Sequence, residues 1–129
     1  MFSNDVALQN VAATVRTYAL KSVTDGKSVR SVSGAVLGNP RTLSISHTQV
    51  LRGKNAIGQP IYGDRHLVRI DTTTTNGDGI SQTGSVYVVI EQPQTIVSKA
   101  DVQQCIEELV FFLSTASYGN VAKLLNSEP

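Results

Sequence analysis

The stretch Arg65-His66-Leu67-Val68-Arg69-Ile70-Asp71 decides the reading of this chain. His66, Val68 and Ile70 fall on one side of an extended run, and Arg65, Leu67, Arg69 and Asp71 on the other. Side chains along a β-strand alternate between faces, so this is a strand with one apolar and one mostly polar side. Two further runs repeat the pattern. Residues 41–50 set Leu43, Ile45 and His47 against Thr42, Ser44, Ser46 and Thr48. Residues 85–91 set Val86, Val88 and Ile90 against Ser85, Tyr87, Val89 and Glu91. Three such strands in succession describe an antiparallel sheet covered on one side only.

The cover comes from residues 98–115. Ser98 is placed to cap a helix, and Asp101 three residues on makes a shortened capping box. Val102, Cys105, Ile106, Leu109, Val110 and Leu113, with Phe112 beside them, form a broad apolar stripe at helical spacing. Gln103, Gln104, Glu107 and Glu108 form the other side, and Phe111 falls among them. Tyr118-Gly119 breaks the helix, and Asn120 can cap a short second one carrying Val121, Leu124 and Leu125.

Outward from the central strands the pattern weakens. Residues 11–23 could be a strand or a weak helix, with Thr14, Val15, Thr17 and Tyr18 favouring strand; Asp25-Gly26 suits a hairpin turn, and residues 29–33 alternate. These give a hairpin pivoting at residues 24–27, separated from the main sheet by Gly34, Gly38, Asn39 and Pro40. Residues 52–64 are expected as a long connection, and residues 72–83 can extend as strand or fold back as a flexible tip. Asn76–Gly79 lacks the lysine and following helix of a phosphate loop. Pro93 closes the last strand.

With 129 residues the chain is expected to form one domain, 1–129: a hairpin region at 1–34, the main sheet at 41–92 and helices at 98–126. No apolar run can span a membrane, and the N-terminus has no signal-peptide pattern. One cysteine, Cys105, excludes an internal disulfide; with no Cys/His cluster, neither a metal nor a cofactor is expected. A cytoplasmic folding compartment follows from these features. The net charge of +1 hides an asymmetry: residues 1–70 carry nine Lys/Arg against three Asp/Glu, residues 71–129 two against seven. A basic sheet portion suits a polyanion; scattered solvated charges explain the count equally well. One and a half helices leave sheet uncovered, which a twofold partner would resolve. That partner would also receive Phe111.

From Pro40 to Pro129 the chain resembles the coat proteins of single-stranded RNA bacteriophages, the levivirus group. The features carrying the resemblance are Thr-Leu-Ser-Ile-Ser-His at 42–47, Arg-His-Leu-Val-Arg-Ile-Asp at 65–71 and the strand ending near Pro93. The helix opening Ser-Lys-Ala-Asp with its internal Cys105, and the closing Leu-Leu-Asn-Ser-Glu-Pro, complete it. The resemblance implies an α+β fold with an N-terminal β-hairpin, a five-stranded antiparallel sheet and two C-terminal helices. Two subunits interlock into a homodimer with a continuous ten-stranded sheet. Dimers close a quasi-equivalent icosahedral shell of the T=3 kind, assembled in the bacterial host cytoplasm. Genomic single-stranded RNA lies on the inward sheet face, and an RNA hairpin bound there represses replicase translation.

Carried over by position, the RNA face is Thr42, Ser44, Ser46, Thr48, Arg65, Leu67, Arg69, Asp71, Ser85 and Tyr87, the polar side that alternation itself selects. Arg65 and Arg69 serve phosphates, Ser44 and Ser46 an unpaired base, and Tyr87 a stacked one. The sequence departs from the pattern at Leu67, where relatives that bind a defined hairpin tend to carry a small polar residue. By the same resemblance, Thr75, Asn76, Gly77, Asp78 and Gly79 would form the assembly loop between dimers. The expected dimer interface comprises Val102, Ile106, Leu109, Phe111, Phe112 and Leu113.

Bland readings stand beside these. Arg65 and Arg69 could pair with Glu91 or Asp71, Tyr87 could merely cover the sheet, and Cys105 and His47 could be packed core. His47 and His66 have no evident carboxylate or nucleophile partner, so no enzyme is expected. A cellular dimeric RNA-binding module would place aromatics on neighbouring strands of the open face, where only Tyr87 qualifies. A small dimeric ligand-binding protein would need a polar cluster in a pocket.

Overall fold

The computed structural model describes residues 2–10, 12–32, 39–93 and 98–127, which fall in two compact units, Met1–Glu91 and Gln92–Pro129. The glycine break at Gly34 and Gly38, the end of the run at Ser33 and the final Glu128-Pro129 lie outside the described residues.

The first unit is built on a sheet whose described strands follow chain order. They are β1 (Asp5–Gln9), β2 (Val15–Thr24), β3 (Lys27–Val32), β4 (Arg41–Lys54), β5 (Pro60–Thr75) and β6 (Ser81–Pro93). The hairpin at Asp25-Gly26 forms as expected, with Thr24 opposite Lys27. Its separation from a five-stranded main sheet does not. β3 pairs with β4 from Lys27↔Ser46 to Ser31↔Thr42, and β1 adds a further strand beside β2, giving one six-stranded sheet. Gly26 explains the tightness of that corner. Its φ is +67°, its carbonyl accepts from the His47 amide at 2.7 Å, and a Cβ there would stand 2.7 Å from the His47 carbonyl oxygen.

The long connection expected at 52–64 is a short turn, and residues 72–83 mostly extend as strand. β4 runs to Lys54 and β5 from Pro60 to Thr75, so residues 55–59 and 76–80 alone reverse the chain. In the second, Asn76 Oδ1 accepts from the amides of Asp78 (3.1 Å) and Ile80 (2.8 Å). In the first, Asn55 Oδ1 accepts from Ile57 (3.1 Å) and Gln59 (2.8 Å). Gly79 and Gly58 take the left-handed position, at φ +78° and +81°. Asn10 repeats the device, accepting from Thr14 at 2.9 Å, with Ala13 at φ +58° where the other two turns have glycine. Asparagine satisfies the turn amides that no strand can reach, so a five-residue reversal suffices. At the tip of residues 72–83, which could have folded back flexibly, the Asn76 side chain holds the turn amides.

Among the described residues, the buried side chains of this unit, Tyr18, Arg30, Leu43 and Ile45, come from three adjacent strands. The register puts all four on the apolar side: Tyr18 opposite Val32, Arg30 between Leu20 and Leu43, and Ile45 opposite Val68. Toward β6 the apolar side opens to solvent, and Val86 is 74% exposed.

The second unit contains α1 (Lys99–Leu125). Ser98 caps it as expected, accepting from the Asp101 amide at 3.1 Å and donating to the Asp101 carboxylate at 2.6 Å. Two C-terminal helices were expected; the structure has one helical element interrupted earlier, at Thr115–Tyr118. Ala116, Ser117 and Tyr118 all have positive φ there. Polar side chains satisfy the carbonyls released by the interruption. Thr115 Oγ1 and Ser114 Oγ donate to the Phe111 carbonyl at 2.7 and 3.1 Å, and Asn120 Nδ2 donates to the Phe112 carbonyl at 2.8 Å. Asn120 therefore stitches the interruption instead of capping a new helix. No residue of α1 is buried within the single chain. Cys105, expected in a core, is a free exposed thiol.

Candidate nucleic-acid interface

Register turns the alternation of β4 and β5 into rows. Thr42 faces Asp71, Ser44 faces Arg69, Ser46 faces Leu67 and Thr48 faces Arg65, all on the polar side. Lys27 and Ser31 of β3 continue the rows through Ser46 and Thr42. Ser85 joins from β6, hydrogen-bonded to both Arg69 (3.1 Å) and Asp71 (2.6 Å). Tyr87, two residues on along the strand, is on the same side and 62% exposed. All ten expected RNA-face residues thus lie on one side of three adjacent strands. Thr73–Thr83 and Thr75–Ser81 hydroxyl contacts, each 2.8 Å, carry the polar side on to the Asn76 turn.

The arginines do not stand free. Arg69 Nε donates to Asp71 Oδ1 at 2.7 Å, so Arg69, Asp71 and Ser85 close a triangle over β5 and β6. Arg65 reaches Glu91 Oε1 at 2.6 Å, and Arg52 reaches Glu91 Oε2 at 2.6 Å. Both carboxyls are held below their usual pKa. For Asp71 the hydrogen bond from Ser85 is the leading cause, then that from Arg69; for Glu91 they are the bonds from Arg52 and Arg65. These exposed pairs orient the guanidinium groups more than they stabilise the fold. Three guanidiniums against two carboxylates leave the patch cationic by one charge.

Arg52 was missed because the fourth strand was expected to end at residue 50. Carried past that point, the even-numbered series 42–48 reaches Arg52, and the strand does run to Lys54.

The opposite side carries a pairing that no sequence feature suggested. His47 and His66 are cross-strand partners, with Nδ1 atoms 2.9 Å apart and rings edge-on at 5.0 Å. One imidazole donates and the other accepts. His47 lies on the apolar side as expected but is exposed rather than packed.

A single antiparallel sheet with one hydroxyl- and arginine-rich side, followed by a helical segment, defines a fold seen in bacteriophage shells. The solved virus-like particle of bacteriophage AVE019 superposes with a TM-score of 0.68 at 14% identity, covering 100% of this chain and 98% of that one. The virus-like particle of bacteriophage GQ-907 gives 0.67 at 17% identity, covering 96% and 92%. The coat protein of bacteriophage EMS014 gives 0.64 at 12%, covering 92% and 80%. No family model and no curated protein matches the chain. At these identities the likeness establishes the fold, and the chain has the fold of these phage coat proteins.

Proposed function

We propose that this chain is the coat protein of a single-stranded RNA bacteriophage, with a structural and not a catalytic role. The observation that carries the reading is the likeness in fold over the whole chain to proteins solved as virus-like particles. Copies associate as dimers whose joined sheets present the polar side inward, and the dimers close a shell around RNA. Arg52, Arg65 and Arg69 meet phosphates, and Tyr87 offers an exposed ring for base stacking. On the same reading this face holds an RNA hairpin and represses translation of the message that carries it.

Association is supported by apolar side chains that water would otherwise cover. Phe111 on α1 and Val86 on β6 are each 74% exposed in the single chain. The turn 76–80, rigid at its base and solvent-exposed, supplies contacts between dimers.

Negative-stain electron microscopy of the purified protein, with nuclease digestion of its nucleic acid, tests the reading. Closed shells that protect RNA from nuclease are expected. A protein that stays dimeric and binds RNA without forming shells would favour a cellular RNA-binding module. One that neither assembles nor binds RNA would favour a small ligand-binding protein.

A further inference from the structure

Among the described residues, Arg30 is a buried cation without a counter-ion. It is 3% exposed; its Nη1 donates to Ser28 Oγ at 2.7 Å, its Nη2 to the Ser3 carbonyl at 3.0 Å, and its Nε has no partner. No carboxylate pairs with it among the described residues. Arginine cannot shed its proton to escape this, so the fold holds an unneutralised charge on the apolar side of the sheet. Arg30 is among the residues lining an open groove of about 540 Å³, together with Lys27 and His47, and the exposed walls are mainly apolar, including Phe2, Leu20, Val23 and Ile45. Such a groove asks for a carboxylate carried on apolar surface.

The helical unit bears that combination. Glu107 is engaged by Gln103 at 2.9 Å, whereas the exposed Glu108 has no partner among the described residues. Phe111 and Phe112 follow three and four residues later, hence beside Glu108 on the helix surface, and are 74% and 50% exposed. The charge split along the chain, basic to residue 70 and acidic beyond it, has the same sense. We propose that Glu108 of a second copy pairs with Arg30, with that copy's Phe111 and Phe112 filling the groove around it. This rests on the reading that the chain associates with itself. An RNA phosphate would satisfy the guanidinium but would leave the apolar walls uncovered, so a protein ridge fits better.

Opposite charge reversals test the pairing. Arg30→Glu and Glu108→Arg should each weaken self-association about a hundredfold or more, because like charges then meet in a desolvated contact. Mixed together, the two variants should associate as tightly as the parent and only with each other, since opposite charges then face one another at both symmetry-related contacts. Native mass spectrometry of differently tagged chains reads this directly. A parent chain that remains monomeric would remove the association reading itself. A dimeric parent whose variants mix at random would overturn the pairing alone. Rescue only in the doubly substituted R30E/E108R chain would place the contact within one chain and also overturn it. Loss of RNA binding by Arg30→Glu with association intact would overturn it in favour of phosphate. Should Arg30→Glu fail to fold by circular dichroism, Arg30→Met and Glu108→Leu replace the reversals. Their effects on association should then be strongly non-additive, and simple additivity would overturn the pairing.

Discussion

Replacing Glu91 by Gln removes the carboxylate that holds two arginines of the polar face, Arg52 and Arg65, at 2.6 Å each. Glutamine keeps the shape and frees both guanidinium groups for phosphate. The patch of Arg52, Arg65, Arg69, Asp71 and Glu91 rises from one net positive charge to two per chain. Each additional phosphate neutralised on single-stranded RNA steepens the salt dependence of log K by about 0.7. Between about 50 and 200 mM salt this gives a further loss of roughly two- to threefold per chain, and about sevenfold where two chains present the face together. Filter binding to single-stranded RNA, below the protein concentration that forms shells, should show tighter low-salt binding and this steeper slope. Arg65→Ala/Arg69→Ala should move both quantities the other way. A Glu91→Gln protein with the parent's affinity and slope would show that the polar side of β4–β6 is not where RNA binds. A weaker, flatter response would show that Glu91 holds the arginines in their binding geometry.

The turns make separate demands. Ala13→Gly should raise stability by up to about 1 kcal/mol, because alanine at φ +58° bears a left-handed cost that glycine escapes. Gly79→Ala should lower it by about 1 kcal/mol or more for the same reason; chemical denaturation at fixed protein concentration reads both, and equal signs would refute the shared turn. Gly26→Ala should cost more than Gly79→Ala, since its Cβ would also meet the His47 carbonyl oxygen at 2.7 Å; equal losses would deny that close approach. Asp71 and Glu91 have lowered pKa values in the folded chain. Their contribution is therefore full above the ordinary carboxylate range and lost as pH falls through the lowered values. Asp71→Asn/Glu91→Gln should accordingly flatten the acid limb of a stability–pH curve, and an unchanged limb would show that these pairs contribute nothing.

The faces of β4, β5 and β6 could be read from sequence because a period of two is rigid: once Arg65–Asp71 is a strand, Leu67 and Arg69 cannot change sides. The helix start was equally legible, since Ser98 and Asp101 satisfy amides that every helix leaves open. Strand length was not. Glycine-bearing stretches read alike whether they wander or fold into an asparagine-pinned turn, and the length given to the loops hid Arg52. β1 escaped because its five residues are mostly exposed and carry little pattern. The His47–His66 pair and the burial of Arg30 depend on register across strands, which no single strand encodes. The helix interruption came earlier than expected: Ser114, Thr115 and Asn120 replace the lost backbone bonds, while Ala116 and Ser117 bear the left-handed cost that a glycine would escape.

The central claim is that copies of this chain form a shell with the polar side of β4–β6 against the RNA. Ultraviolet crosslinking of purified particles, followed by mass spectrometry of the nucleotide-bearing peptides, tests it most directly. The expected adducts fall in β4–β6, with Tyr87 foremost because its ring is exposed on that side. Adducts confined to Phe111, Phe112 and Tyr118 of the helical unit, with none in β4–β6, would contradict the claim.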